Sequence, residues 1–307
     1  MATTRRNDLQ GFNTGKSLSE SINDVMKEQS SRSTKRTKLI KLGLRAGDIE
    51  YIFSQYATTT VRKSAFDFSK LTFGVEIECY NCDRTELIDS GRANGLDIFS
   101  EGYNHRDNKS YFKIVSDGSL TGENSNEVVS PILKGQKGMN SLKALCKALE
   151  SVGARVNRTC GLHVHIGASA ISDAHYCRLV RNYQKIERVI DSFMPESRRA
   201  DNNCYCRSLS RLDFSDCNTK VQVFRVTSDR YYKVNMAPAY ARHRTIEFRQ
   251  HSGTTDYEKI SNWVMFLTKL VEYSYEKEIT ACERIEDIPF LTSSEKNYFI
   301  NRREALR

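Results

Sequence analysis

Gly74-Val75-Glu76-Ile77-Glu78, Gly161-Leu162-His163-Val164-His165-Ile166 and Thr245-Ile246-Glu247-Phe248-Arg249-Gln250-His251 are the stretches on which the fold turns. Side chains at i and i+2 of a β-strand share a face. Glu76 and Glu78 therefore oppose Val75 and Ile77, and His163 and His165 oppose Val164 and Ile166. In the third stretch Glu247, Arg249 and His251 oppose Ile246 and Phe248. Each strand has an apolar face for a core and a face of carboxylate, imidazole or guanidinium. If the three pair, three Glu, three His and an Arg line one face of a sheet. Carboxylates gathered in this way repel one another unless a cation offsets them. Oxygen ligands with a minority of imidazole suit Mg²⁺ or Mn²⁺ better than Zn²⁺. One such alternation alone usually marks a solvated strand; the joint occurrence carries the reading.

Outward from these strands, 111–115 reads as a strand ending at the turn Ser116-Asp117-Gly118-Ser119. Asn126-Glu127-Val128-Val129-Ser130-Pro131 reads as another, closed by its proline, with Glu127 and Val129 on one face. The spacing of Leu142, Leu145, Cys146, Leu149 and Val152 predicts a helix over 139–152, stopped by Gly153. Ser172 opens a longer helix ended by Pro195, Asp256 another, and Thr292-x-x-Glu295 is a capping box. The polar stretch 81–109 reads as loop with a strand near 96–99. Segments 221–224 and 231–236 read as strands, the second placing Tyr231, Lys233 and Asn235 on one face. Strands and helices that do not alternate regularly predict an α+β fold: a curved antiparallel sheet with helices packed on its outer face.

The chain of 307 residues can bury a substantial core. It has no apolar run of about 18 residues, which excludes a membrane helix. The first residues lack the apolar stretch of a signal peptide, and nine scattered cysteines suit a reducing compartment, so a cytoplasmic protein is expected. Cys204, Cys206 and Cys217, or Cys79 and Cys82, lack the second ligand pair of a zinc site. Of the net charge of +9, residues 1–65 hold +6, from twelve Lys/Arg and six Asp/Glu. This arm is where nucleic acid or an acidic partner would bind, although a solvated extension explains it more simply. Gly11-Phe-Asn-Thr-Gly15-Lys16-Ser17 has one residue too few for a phosphate loop and no preceding strand. Residues 1–36 are expected to be a basic, poorly ordered arm and 37–69 a helical extension with a break at Gly47. Residues 70–275 are the expected catalytic domain, and 276–307 a helical tail.

The ordered set Phe73-Gly-Val-Glu-Ile-Glu78, Ser116-Asp-Gly-Ser119, Glu127-Val-Val-Ser-Pro131, Cys160-Gly-Leu-His-Val-His165 and Thr245-Ile-Glu-Phe-Arg-Gln-His-Ser-Gly253 resembles the amidoligase family. That family lies in the glutamine synthetase and glutamate–cysteine ligase superfamily of carboxylate–amine ligases. The resemblance covers about 70–275. It implies a glutamine synthetase-like catalytic domain that uses ATP with Mg²⁺ or Mn²⁺ to join an acid to an amine, with a peptide or protein among the candidate substrates. It makes Glu76, Glu78, Glu127, His163 and Glu247 the metal ligands and Arg249 the cation on the transferred phosphate. It also puts His165 near the phosphates or the acid. Arg230, Arg244 and Asn235 are further expected nucleotide contacts, with Arg242 another candidate for a second phosphate arginine. Asp117 or Glu127 is the candidate base for the amine. Three alternatives stand beside this reading: a phosphagen kinase-like phosphotransferase, a metal-dependent hydrolase, and a basic nucleic-acid-binding or virion-associated protein.

Overall fold

The computed structural model describes residues 17–28, 30–57, 71–102, 110–169, 171–237 and 244–307. The chain divides into two compact units, 1–63 and 64–307.

In the first unit, helices stand over much of 18–36, where composition predicts poor order; residues 1–16 of the expected arm lie outside the described residues. Helix α1 (Leu18–Lys27) begins at a capping box in which Ser17 and Glu20 satisfy each other's backbone N–H. Helix α2 (Arg32–Lys41) is capped by Ser31, and α3 (Ala46–Ala57) follows. Val25, Met26, Leu39, Ile49 and Phe53 form a small core between them. Such apolar residues, sparse and far apart in sequence, are invisible to composition. The helix break falls at Gly43, whose φ of +84° suits glycine, while Gly47 lies inside α3. The rest of the expected extension, 58–69, lies outside the described residues.

The second unit is α+β. Its sheet contains, among the described residues, β1 (Thr72–Cys79), β2 (Ile98–Ser100), β3 (Phe112–Val115), β4 (Asn126–Val129), β5 (Leu133–Lys134), β6 (Gly161–Gly167), β7 (Val234–Asn235) and β8 (Thr245–Ser252). The order is β2-β3-β4-β1-β6-β8-β7, with β5 also on β1. All pairings are antiparallel except β2 with β3. The apolar residues of the alternating strands, among them Val75, Ile77, Val164, Ile166, Ile246 and Phe248, join one core. Helices α5 (Gly135–Ser151), α6 (Asp173–Ser192) and α8 (Tyr257–Tyr273) supply its other side through Leu142, Leu145, Tyr183, Ile186, Trp263 and Leu267. Gly153 has φ +69°, which only glycine adopts cheaply, so α5 stops where the sequence predicts. The segment after 276 shares this core through Ile285, Ile288 and Phe299, and its helix α9 (Ser293–Glu304) starts at the expected Thr292–Glu295 capping box.

Three local expectations are corrected. The polar stretch after Asn81 contains helix α4 (Arg84–Ala93), because the Asp83 side chain accepts from Thr85 N and Glu86 N and Leu87 is buried. Residues 221–224 lie in helix α7 (Lys220–Thr227), not a strand; a Thr219–Gln222 capping box outweighs the β propensity of its valines. Only Val234–Asn235 of 231–236 is strand. Lys233 does not join Tyr231 and Asn235 at the polar face but is wholly buried against Glu187 and Asp191 of α6.

Candidate active site

Strand pairing brings the three motif strands side by side. Glu76 of β1 lies opposite His163 of β6, His165 lies opposite Glu247 of β8, and Glu247 lies opposite Asn235 of β7. On the other side of β1, Glu78 is opposite Glu127 of β4. Two carboxylates directly across a pair of strands are destabilising by themselves. These side chains line a cavity of about 660 Å³, together with Asp117, Lys113, Arg198, Tyr205, Arg230, Tyr231, Arg244 and Arg249.

The His163 ring is wedged among three carboxylates. Its Nδ1 is 3.1 Å from Glu76 Oε2 and 3.5 Å from Glu247 Oε1, and its Nε2 is 3.7 Å from Glu78 Oε1. His165 Nε2 lies 3.1 Å from Glu76 Oε1, close enough for charge attraction but out of line for a hydrogen bond. Its Nδ1 is 3.0 Å from Thr245 Oγ1. Glu247 receives Asn235 Nδ2 at 2.6 Å and pairs with Arg249, whose Nε donates to the Tyr205 carbonyl at 3.1 Å. Glu78 Oε2 accepts the Gly161 N–H at 2.5 Å.

The carboxylates are not electrostatically equal. Burial pushes Glu76 up, but the imidazoles of His165 and His163 hold it well below the usual carboxylate range. Burial likewise opposes the ionisation of Glu247, and Arg249 followed by His165 brings it below that range. His165 is raised: burial favours its neutral form, and the charge of Glu76 overrides this. Glu127 is shifted the other way. Burial, then the charges of Glu76 and Glu78, raise it well above its ordinary value. The charge of Glu76 repels both Glu247 and Glu127, and at Glu247 the Arg249 guanidinium outweighs it.

Three sets of side chains each bring ligand atoms within 4.8 Å of one another: Glu76, His165 and Glu247; Glu76, Glu127 and His163; Glu78, Asp117 and Glu127. Glu76 joins the first two sets and Glu127 the last two, so the candidate cation positions adjoin. The donors are carboxylate oxygens and imidazole nitrogens, the His165 Nε2 lacks a hydrogen-bond partner among the described residues, and Glu127 is raised by burial and then by its neighbours' charges. All three observations fit a hard divalent cation. No cysteine belongs to such a set among the described residues.

All five expected metal ligands, with His165, Asp117, Asn235, Arg230, Arg244 and Arg249, line the one cavity. Asp117, expected as a base, stands among ligand atoms with Glu78 and Glu127, and its Oδ1 accepts the Ser119 N–H at 2.7 Å. Arg249 makes the local ion pair with Glu247 that its strand position predicts, and the Arg230 guanidinium lies over the Tyr231 ring at 5.1 Å. Arg242 lies outside the described residues.

His251 leaves the polar face. A β-bulge opposite the stretch between Leu162 and Val164 sets three steps of β8 against two of β6, which ends the simple alternation after Arg249. His251 is buried, with its ring 5.6 Å from that of Trp263 and its Nδ1 2.7 Å from the Ser252 carbonyl. Burial, then the Arg302 charge, pushes it down to about 3, so it is a neutral core histidine.

Sequence reasoning missed Lys113 and Arg198. Lys113 is buried and faces the cavity from β3 because Phe112 and Ile114 take the core face. This alternation was readable in 111–115. Arg198 ends a short 3₁₀ turn (Glu196–Arg198) in a loop without periodicity, and no signal in the sequence marks it.

A family model described as "Putative amidoligase enzyme" matches residues 69–271. No curated protein matches the chain. Among solved structures, one described as the crystal structure of a novel glutamine synthase homolog is similar at 11% identity and a TM-score of 0.37. That match covers 77% of this chain, which spans 62% of the other.

Proposed function

The chain belongs to the amidoligase family, and from that premise we propose that it joins a carboxylate to an amine at the expense of ATP. The observation that carries this reading is the convergence of Glu76, Glu78, Glu127, His163, Glu247 and Arg249 on one cavity. A carboxylate acylates poorly because its leaving group would be oxide. Transfer of the ATP γ-phosphoryl group to it gives an acyl phosphate; the amine then forms the C–N bond as the C–O bond to phosphate breaks. Such transfers depend on positioning and on cations around the moving group more than on covalent help from the protein.

In this scheme Glu76, Glu78, Glu127, His163 and Glu247 hold divalent cations, with Mg²⁺ or Mn²⁺ the fitting choice. Bound there, a cation would neutralise phosphate oxygens and orient the chain of phosphates. Asp117 is available as a further ligand. Asn235 fixes Glu247 through its amide, and Thr245 fixes the ring of His165. Arg249 shares its guanidinium between Glu247 and the Tyr205 carbonyl and reaches the cavity from there. Its planar fork suits phosphoryl oxygens. Glu127, raised by its surroundings, is the carboxyl best placed to exchange a proton as cations come and go.

The test is ADP release by the purified protein with Mg²⁺–ATP against a panel of acid and amine pairs, followed by mass spectrometry. The expected result is release that needs both partners, with a product lighter than their sum by one water. Phosphorylation of a guanidino compound without condensation would favour the kinase alternative, and ATP-independent cleavage the hydrolase.

A further inference from the structure

The cavity is charged unevenly on the two sides of β1. Arg230 precedes β7, Arg244 precedes β8, Arg249 lies on β8, and Gln250 of β8 ties down Arg198, so the guanidiniums gather on one side. On the other side, among the described residues that line the cavity, the cation is Lys113 of β3. It is buried and shares the cavity face with Val115, since Phe112 and Ile114 belong to the core. Pairing puts Lys113 opposite Val129 of β4, and Val129 opposite Glu76 of β1. At the usual strand spacing the backbones of Lys113 and Glu76 are roughly 10 Å apart, with the Val129 side chain between them.

These surroundings fit a small zwitterion. Glu127 shares the cavity face of β4 with Val129 and is the diagonal neighbour of Lys113, about 7–8 Å away. Asp117 lines the same side. The α-ammonium of an amino acid fits beside Glu127 and Asp117, and its carboxylate, one carbon away, fits Lys113. A simple carboxylic acid would leave the two carboxylates unmatched, and a nucleotide carries more charge than one ammonium offsets. The walls here are apolar: Val115, Val129 and Ile132 line the cavity, and Ile132 is 61% exposed. An apolar side chain laid on them leaves water and covers them. A second acid group would lose its water there and face Glu127 and Asp117. Gly74 leaves bare backbone in the floor, where a Cβ would meet only Ser130 Oγ at 3.5 Å and His165 Cβ at 3.8 Å.

We propose that Lys113, with Val115, Val129 and Ile132, selects the amine substrate: an α-amino acid with an apolar side chain, held by its carboxylate. The role as amine rests on the ligase reading; the binding of such an amino acid does not. In that reaction the α-nitrogen forms the amide bond and loses a proton as phosphate leaves. The carboxylate on Lys113 stays free, so the product ends in the added apolar residue.

The full-length protein, with Mg²⁺ and without nucleotide, is titrated in a calorimeter with L-leucine, L-leucinamide, 4-methylpentanoate, L-alanine and L-glutamate. Leucine should bind, and leucinamide and 4-methylpentanoate should each bind at least about tenfold more weakly, the usual worth of a charge-assisted hydrogen bond. Lys113→Met should weaken leucine by a similar factor and erase its advantage over leucinamide, while Lys113→Arg keeps part of it. Ile132→Ser, at an exposed position, should narrow the preference for leucine over alanine. In the ADP assay Lys113→Met should raise KM for leucine and leave KM for ATP near wild type, a split that a merely structural lysine would not give. The proposal falls if wild type does not bind leucine, or if leucinamide or glutamate binds as well as leucine. It falls too if Lys113→Met binds leucine as wild type does, or if Ile132→Ser keeps the full preference. Should Lys113→Met lose its cooperative melt, the ligand series on wild type and Ile132→Ser decides. Lys113-dependent leucine binding without ADP release from any pair would sink the ligase reading and leave the site standing. Release only with amines that lack a carboxylate would do the reverse.

Discussion

Lys233→Met keeps the length of the side chain and removes a charge that two carboxylates share. Lys233 is wholly buried, with Nζ 2.8 Å from Glu187 Oε1 and 2.7 Å from Asp191 Oδ1. Those acids stand one turn apart on α6, with side chains 4% and 17% exposed. Removing one member of a buried ion pair costs about 3–5 kcal/mol, mostly through the charge left behind. Leu209 N still donates to Glu187 and the Gln250 amide to Asp191, which argues for the lower end, about 3 kcal/mol. At about 2–4 °C per kcal/mol for a unit of this size, the melting temperature should fall by roughly 6–12 °C. The loss should also reach the cavity. Glu187 and Asp191 anchor Leu209 and Ala200 on the loop that carries Arg198 and Tyr205, so turnover should drop with stability. Urea unfolding and calorimetric melting measure the first effect, and ADP release the second. Adding Glu187→Gln and Asp191→Asn to the variant removes the stranded charges and should recover much of the loss. A single variant within about 1 kcal/mol of wild type, or a triple variant no better than the single, would refute the reasoning.

The remaining predictions concern the cavity and the chain boundary. The folded protein raises Glu127, so its contribution to stability is present below the ordinary carboxylate range and is lost as pH rises through the raised value. Glu127→Gln cannot ionise; in chelator its melting temperature should lack this decline and exceed wild type's at neutral pH, while Mn²⁺ binding by calorimetry weakens at least about tenfold. An unchanged pH profile would exclude Glu127 as the carboxyl that bears the repulsion. Arg249→Lys should lower turnover about 10²-fold or more but change Mg²⁺–ADP affinity far less, because the phosphoryl contact strengthens as the group moves; near-normal turnover leaves Arg249 as an ion-pair partner of Glu247 alone. A cut after residue 36 would remove α1 and half of α2 from their shared core, whereas a chain starting at Ser64 should keep its cooperative melt and its turnover. Loss of the cooperative melt in that shorter chain would refute the boundary.

The sequence alone determined which side chains could meet. The alternation in 74–78, 161–166 and 245–249 is a property of strand geometry, so Glu76, Glu78, His163, His165, Glu247 and Arg249 were legible with their common face, and Glu127 joined them by the same rule. The helix ends at Gly153 and Thr292 were equally local, set by one φ angle and one capping box. Tertiary structure decided what no local pattern encodes. The bulge in β8 turned His251 to the core, since an extra residue on one strand is visible only against the strand that pairs with it. Lys233 went to Glu187 and Asp191 instead of the cavity because its partners lie on a helix more than forty residues away. The division of the carboxylates into those held ionised and the one raised depended on which imidazole or guanidinium stood beside each. Arg198 came to the cavity through a loop without periodicity. The distances and the burial that decide these roles exist only once the strands have paired.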